Sequence, residues 1–322
     1  MEFTMGGRLK VTITPADLGK RVSVRTIAAP GDAPARYTDT VGVLTSWSDG
    51  VLSITRRDGQ RVELAESGMV AGKTVPQAPA RRRGTPAASA RELTAVAGRA
   101  WPGTETERIG DWLLNAAGGW TARANSAHRV GPGDPDPERI RRWYAARGLP
   151  ARIQVDTGAA GTDELLDAAL ERAGWRAERP AILRVAALAP LADREPDPRV
   201  RVGRELTGEW LAAYPRHREA PDHAPRVLAG GPSVHLARVP GAAVARCVVD
   251  GRWAGFAAVR VAAEYRRQGL ATALMAELAR VALAEGASAA YLQVEPDNEG
   301  ARVLYDRLGF TDHHHYHYRT AP

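Results

Sequence analysis

The sequence predicts an α/β protein with a mixed central sheet, preceded by a small all-β barrel, and three observations carry that expectation. Residues 9–75 alternate apolar and polar side chains in short runs, the period of half-buried strands. A stretch rich in proline, alanine and arginine interrupts the pattern at residues 77–90. Beyond it, segments of helical period alternate with short strand-like runs, and one helix, strand, helix order occurs twice. At 322 residues the chain leaves room for two or three domains of roughly 100–150 residues. The expected division is a barrel over 1–76, a linker over 77–90, a first α/β half over 91–190 and a second over 191–322.

Composition narrows the class. Hydrophobic residues at 44% and charged residues at 25% are those of a soluble globular chain, and no apolar run approaches the roughly 20 residues of a membrane span. The N-terminus, MEFTMGGRLK, lacks a secretory pattern, so the expected compartment is the cytoplasm. Cys247 is the only cysteine, which excludes an internal disulfide and a thiolate metal cluster. The net charge of +7 is carried by arginine, with Lys10, Lys20 and Lys73 the only lysines. Such a surface attracts nucleic acid or any anionic ligand, a cofactor with several phosphates included.

In chain order, strands are expected at Arg21 to Arg25, Thr40 to Trp47, Val51 to Arg56 and Gln60 to Leu64. The last three are joined by the turn signals Ser48 to Gly50 and Asp58 to Gly59, and a five-stranded barrel closes such a meander. The run Arg81 to Arg83 reads as a solvated linker rather than a nucleic-acid contact. Asp111 to Leu114 and Trp120 to Ser126 flank Gly118 and Gly119 as a hairpin would. Pro137 to Arg147 is helical, Ile153 to Val155 a strand, Asp163 to Arg172 a helix closed by Gly174, and Ile182 to Ala187 a strand. Pro190 to Pro198 breaks the chain. Trp253 to Val261 is a strand, and Gly269 to Glu285 an amphipathic helix with Leu270, Leu274, Leu278 and Val281 on one stripe. Ala290 to Val294 is a strand, Asn298 to Leu308 a helix and His313 to Arg319 a last strand. Ile153 to Val155 and the helix ending at Trp175 thus echo Leu292 to Val294 and the helix ending at Phe310.

Chemistry concentrates at Val261 to Ala271, VAAEYRRQGLA, where a strand enters a helix. The first N–H groups of a helix have no partners and point along its axis, which makes them a site for phosphate oxygens. Gly269 and Ala271 keep bulk away from that backbone, and Arg266 and Arg267 add charge. Neither a Walker loop nor a dinucleotide fingerprint is present.

Arg266, Gly269 and Ala271, spaced R-x-x-G-x-A after a strand, resemble the acyl-CoA pyrophosphate motif of the GNAT acyltransferases. Leu292, Val294, Asn298, Ala301, Leu304, Tyr305, Gly309 and Phe310 match the second motif of that family at the usual distance. The resemblance implies acetyl-CoA as co-substrate, with no metal. Its contacts would be Val259, Val261, Arg266, Arg267, Gln268, Gly269, Leu270, Ala271, Thr272, Asn298, Ala301 and Tyr305. It further implies that the pantetheine arm pairs with Trp253 to Val261 where that strand splays from Tyr291 to Val294, and that Tyr305 protonates the departing thiolate. Tyr305 also lies on the apolar stripe of its helix, so core packing is the other reading. Some relatives carry a glutamate where this chain has Gln293, which leaves Glu264 and Glu295 as candidate bases beside a purely solvated role.

Residues 1–75 resemble the SH3-like barrel fused to GNAT domains in a bacterial subfamily described as histone-acetyltransferase-like. Gly119 to Ser126 and Trp143 to Pro150 resemble the first half-domain of the same group. That half would wall the acceptor cleft, making Arg123, Asn125 and Ser126 substrate contacts unless they serve only the hairpin. His313, His315 and His317 share one face of the last strand and His314 the other, a spacing without the partners of a zinc motif. The expected partner is an amine, with neither membrane nor nucleic acid; a module that only senses acyl-CoA is the competing expectation.

Overall fold

Two sheets organise the chain. The computed structural model describes residues 10–27, 37–76 and 86–322; the basic run at 81–83 lies outside them. The first sheet holds β1 (Arg21–Ile27), β2 (Tyr37–Ser48), β3 (Val51–Thr55), β4 (Arg61–Ala65) and β5 (Met69–Thr74) in the order β4-β3-β2-β1-β5, all antiparallel. β2 pairs with β1 through its first half and with β3 through its second, with a bulge between Leu44 and Ser46. This bend folds the sheet over Ile13, Val22, Val24, Leu44, Leu52 and Ile54. The edge strands β4 and β5 follow each other across a 3-10 turn, Glu66–Gly68, without pairing among the described residues.

The rest of the chain builds one eleven-stranded sheet. In sequence it reads α1 (Ala90–Ala100), β6 (Glu105–Ile109), β7 (Trp112–Ala116), β8 (Ala127–Arg129), α2 (Pro137–Ala145), β9 (Arg152–Thr157), α3 (Glu164–Arg172) and β10 (Arg176–Ala187). It continues with α4 (Ala189–Ala192), β11 (Arg201–Gly203), α5 (Gly208–Ala212), α6 (Ala224–Ala229), β12 (Ser233–Val239), β13 (Ala243–Asp250) and β14 (Trp253–Val261). It ends with α7 (Leu270–Ala284), β15 (Ala289–Val294), α8 (Glu299–Arg307) and β16 (Thr311–Thr320). The strand order is β11-β12-β13-β14-β15-β10-β16-β9-β8-β7-β6. Apart from β11, this order reads the same from both ends if each strand of the first half is exchanged for its counterpart in the second, so the echo in the sequence is a repeated topology. β14 runs parallel to β15 as β8 does to β9, and β10 and β16 meet antiparallel on the axis. Each half ends in a strand lodged against the other half: β10 lies beside β15, and β16 beside β9.

Helices cover both faces, as a sheet with two apolar faces requires. α4, α7 and α8 bury the core containing Leu274, Leu278, Phe256, Leu292 and Tyr305. α1, α5 and α6 cover the opposite face over Leu183, Val185, Trp253 and Tyr291. The first sheet docks at Gly158, whose φ of 85° and missing Cβ admit Arg57: an added Cβ would lie 2.7 Å from the Arg57 carbonyl oxygen. Thr157 donates to that carbonyl at 3.0 Å, and Arg61 pairs with Glu171 at 3.2 Å. No helix among the described residues is long and apolar enough to cross a membrane.

The chain reverses around Gly118 and Gly119 as expected, since β7 pairs antiparallel with β8 across them, but the second strand is Ala127–Arg129 and not Trp120 to Ser126. Residues 117–125 run through successive turns held by Asn125, and β6 pairs on the other edge of β7.

Candidate active site

The phosphate-binding expectation rests on the turn from β14 into α7. Arg267 adopts left-handed backbone at φ 60°, and Gly269 forms the N-cap at φ 77° and ψ 0°. A Cβ added at Gly269 meets nothing within 4 Å, so the dihedral rather than space selects glycine. Ser89, Asp136 and Asn298 cap α1, α2 and α8 with side-chain oxygens, whereas no side chain caps α7. Among the described residues the amides of Arg267 through Thr272 donate to no protein acceptor. Six successive free donors at the positive end of a 15-residue helix are a cradle for an anion. Arg266, Arg267 and Gln268 are exposed around it, Leu270 is buried beneath it, and Ala271 and Thr272 are half-buried. A groove lined by Arg194, Asp197, Arg199 and Thr272 continues from Gly269 along the helix.

β14 and β15 pair only from Trp253 to Phe256 and Ala289 to Leu292, and then part. The parting coincides with a bulge. Ala257 faces Arg246 and Arg260 faces Val244, which leaves Ala258 and Val259 opposite Ala245, with Ala258 at φ 52°. A bulge bends its strand and re-aims its groups, a device common beside active sites. Val259 and Val261, both half-buried, follow on the freed stretch.

Tyr305 faces the α7 side of this gap, buried against Phe310 at 5.9 Å between ring centroids. Burial pushes its pKa up, so the hydroxyl holds its proton at neutral pH. Arg184 of β10 fixes the helix that carries it: the guanidinium donates to the carbonyls of Arg302 and Phe310 and pairs with Asp306 and Asp312. Asn298 accepts from the Ala301 amide at 3.2 Å through its side-chain oxygen, and its NH₂ carries two further donors; Ala301 is half-buried. Glu264 stands at the other end of the arrangement, exposed on a 3-10 turn beyond Val261. From Phe256 to Val261 alone the strand covers about 16 Å, so Glu264 neighbours the cradle and not the gap. Glu295 is likewise exposed.

On the opposite face the gap opens into a narrow cleft lined by Trp101, Arg123, Arg246, Ala257, Tyr291 and Gln293. Arg246 is 1% exposed and donates to the carbonyls of Leu228 at 2.6 Å, Ala100 at 2.8 Å and Gly230. Burial lowers its pKa to about 10, so it stays charged at neutral pH. Arg123, half-buried, stacks over the Trp101 ring at 4.9 Å. Tyr316 and Tyr318 of β16 lie buried on the same face, 5.8 Å apart.

Of the three residues expected to touch substrate, Arg123 alone reaches this cleft. Asn125 is fully buried and makes four backbone hydrogen bonds, to Ala117, Gly119, Trp120 and Thr121, so it builds the loop. Ser126 is enclosed at 1% exposure with its hydroxyl unbonded. Sequence reasoning missed Trp101 and Arg246; the signal for Arg246 was a lone charge inside the apolar run Ala243 to Val249.

The equivalent junction in the first half, β8 into α2, carries Asp134, Asp136 and Glu138, and Asp136 caps the helix itself. Asp156, buried within β9, and Asp163, half-buried after it and 3.0 Å from Arg129, both have raised pKa values, mainly through desolvation. An anion would be repelled there. On the last strand His317 bonds Asp167 at 2.8 Å, and Asp167 also holds Arg319 at 2.6 Å. Among the described residues no group of three or more His, Cys, Asp or Glu side chains could hold a metal ion.

The family profile described as "Probable histone acetyltransferase Rv0428c C-terminal" matches residues 87–319. The chain is 32% identical over 313 residues to the probable histone acetyltransferase Rv0428c of Mycobacterium tuberculosis (strain ATCC 25618 / H37Rv), covering 94% of this chain and 95% of that protein. It is 25% identical over 247 residues to the uncharacterized N-acetyltransferase YobR of Bacillus subtilis (strain 168), covering 71% of this chain and 97% of that one. Among solved structures, a GCN5-related N-acetyltransferase from Kribbella flavida shares the fold at TM-score 0.53 and 22% identity, over 72% of this chain and 95% of that one. A tandem GNAT protein from the clavulanic acid biosynthesis pathway does so at TM-score 0.50 and 15% identity, over 74% and 90%. This chain therefore belongs to the GNAT N-acetyltransferase family, among its Rv0428c-like members.

Proposed function

We propose that the chain transfers an acetyl group from acetyl-CoA to a primary amine. The observation that carries this reading is the run of free amides from Arg267 to Thr272 at the start of α7, beyond the stretch of β14 that has parted from β15, with the side chains of Arg266 and Arg267 beside it. A pyrophosphate fits six unpaired donors on a helix N-terminus, and a neutral ligand would leave them unsatisfied.

The bound co-substrate supplies an activated acetyl thioester. The cradle and its arginines hold the phosphates, and the freed edge of β14, with Val259 and Val261, pairs with the pantetheine arm. Backbone N–H groups at the bulge polarise the carbonyl oxygen as negative charge develops there. The amine arrives through the cleft on the opposite face. Its nitrogen bonds to the acetyl carbon, the carbon–sulfur bond breaks, the amine's proton passes to solvent and the Tyr305 hydroxyl protonates the sulfur. With Gln293 beside the gap and Glu264 at the cradle end, water is the acceptor of that first proton. The N-terminal sheet, read as an SH3-like barrel, serves as an accessory module.

Calorimetric titration with acetyl-CoA and thiol release over an amine panel test the reading. Tyr305→Phe is expected to keep acetyl-CoA affinity within about threefold while lowering kcat by roughly 100-fold or more, the usual contribution of a general acid. Equal turnover removes Tyr305 from the mechanism. Binding without acceptor-dependent thiol release identifies a sensor, and no binding refutes the assignment.

A further inference from the structure

The cleft on the acceptor face holds two guanidinium groups and no carboxylate. The two differ in what they have left to give. Arg246 is locked: three of its N–H donors end on the carbonyls of Ala100, Leu228 and Gly230, at the C-terminal ends of α1 and α6. It acts as a fixed positive field. Arg123 is different: it lies over the Trp101 ring at 4.9 Å, is half-buried, hydrogen-bonds the Tyr316 hydroxyl and forms no ion pair among the described residues, so part of its donor fork remains for a ligand. The backing is rigid as well. Trp101 stacks on Trp120 at 5.6 Å and donates its indole N–H to Thr121 at 3.1 Å, and Arg246 sits 5.2 Å from the same ring.

We infer that Arg123 anchors a carboxylate carried by the acceptor, so that the acceptor is an amine of the amino-acid class rather than a lysine within a basic peptide; this rests on the acetyltransferase reading above. A guanidinium presents parallel donors in a fixed plane that match the two oxygens of a carboxylate. The same field opposes a cation. An ammonium entering between Arg123 and Arg246 meets two like charges in a low-dielectric setting, and neighbouring lysines or arginines of a basic peptide add to the repulsion. An acceptor carrying its own anion neutralises Arg123 as it binds, and its amine is driven toward the neutral, nucleophilic form by the charge of Arg246 that remains. Asp156 does not quench the site: its carboxylate accepts from Thr94 at 2.6 Å and from Gln154 at 3.0 Å.

The test is thiol release at saturating acetyl-CoA with the standard amino acids, their matched amides and a lysine-rich peptide, in wild type, Arg123→Gln and Arg123→Lys. In wild type at least one acid should exceed its amide in kcat/KM by about 10- to 100-fold, the range of a charge-assisted pair. Arg123→Gln should collapse that ratio toward one by lowering the acid's value, and Arg123→Lys should restore part of it. Melting temperatures establish that both variants are folded. Amides as good as acids, preference for the basic peptide, or an Arg123→Gln loss equal for acid and amide would each overturn the inference. So would binding of acetyl-CoA with no acid turned over. Failure to bind acetyl-CoA at all, read separately by calorimetry, refutes the transferase reading itself.

Discussion

A carboxylate placed at Gly269 probes the anion cradle directly. The residue sits at φ 77° and ψ 0° as the N-cap of α7, in space open enough that a Cβ meets nothing within 4 Å. Gly269→Glu therefore costs the fold little beyond left-handed strain of about 1–2 kcal/mol. An acid at a helix N-terminus returns up to about 1 kcal/mol of that by favourable interaction with the dipole. The effect on ligand binding is larger. The new carboxylate sits beside the free amides of Leu270 to Thr272 and competes with phosphate oxygens for them. Losing two charge-assisted hydrogen bonds of about 1.5–3 kcal/mol each weakens binding by roughly 100- to 10,000-fold. Repulsion between carboxylate and phosphate acts in the same direction. Gly269→Ala carries the strain without the charge, so its affinity should fall less than about tenfold. Calorimetric titration of acetyl-CoA into the three proteins at one ionic strength reads the difference. If the Glu and Ala variants bind alike, the phosphates do not lie on this helix terminus.

Two further perturbations address the frame around the site. Arg246→Met leaves three enclosed carbonyls without their donor, so stability should drop by about 3–5 kcal/mol and the melting temperature by on the order of 10 °C; unchanged melting would mean those bonds contribute nothing net. Asp156→Asn tests the buried acids of the first half. Burial raises the Asp156 and Asp163 pKa values from 3.8 to about 6, so their contribution is present below the unfolded value and lost as pH rises through the folded one. The variant should consequently be more favourable relative to wild type at pH 8 than at pH 5, by about 1–3 kcal/mol. Taking variant against wild type removes the opposing effect of His128, whose pKa burial lowers, whereas His314, 3.8 Å from Asp156, is perturbed together with it. A difference that does not change with pH would show that Asp156 is not held neutral.

What the sequence disclosed and what it hid divides along physical lines. Helices with a clear stripe and a glycine stop were legible, and α7 begins and ends within a residue of expectation because Gly269 and Gly286 adopt positive φ at its two ends. The motif residues were legible too, since a strand running into an uncapped helix is a local feature. α1 was missed although Ser89 and Glu92 carry a capping-box spacing and Ser89 accepts from the Glu92 amide at 3.0 Å. The hairpin of β12 and β13 was missed because both strands are buried on two faces, so their runs lose the period-two signal. The role of Asn125 was hidden for another reason: a polar side chain that builds a loop looks, in sequence, like one that binds a substrate. Arg123 and Arg246 are 123 residues apart and meet at one indole, a proximity that no local pattern encodes.

The repeated topology gives each half a different task for an electrostatic reason. Both halves place a helix after a strand at equivalent positions of one sheet, so both inherit a helix dipole aimed outward. In the second half the terminus is left uncapped and flanked by Arg266 and Arg267, which suits a polyanion. In the first half Asp136 occupies the terminus, with Asp134 and Glu138 beside it, so the same dipole is spent on the chain's own carboxylates. That half is free of any need to bind phosphate and instead supplies the loop bearing Arg123. It also supplies β10, whose Arg184 fixes the helix of Tyr305. Because β10 lies between β15 and β16, and β16 between β10 and β9, the exchange of final strands makes the gap's geometry depend on both halves at once. On the proposed reading, a donor site from one half and an acceptor wall from the other would thereby be held in fixed register by the hydrogen bonds of a single sheet, which is the precision that transfer between two bound molecules requires.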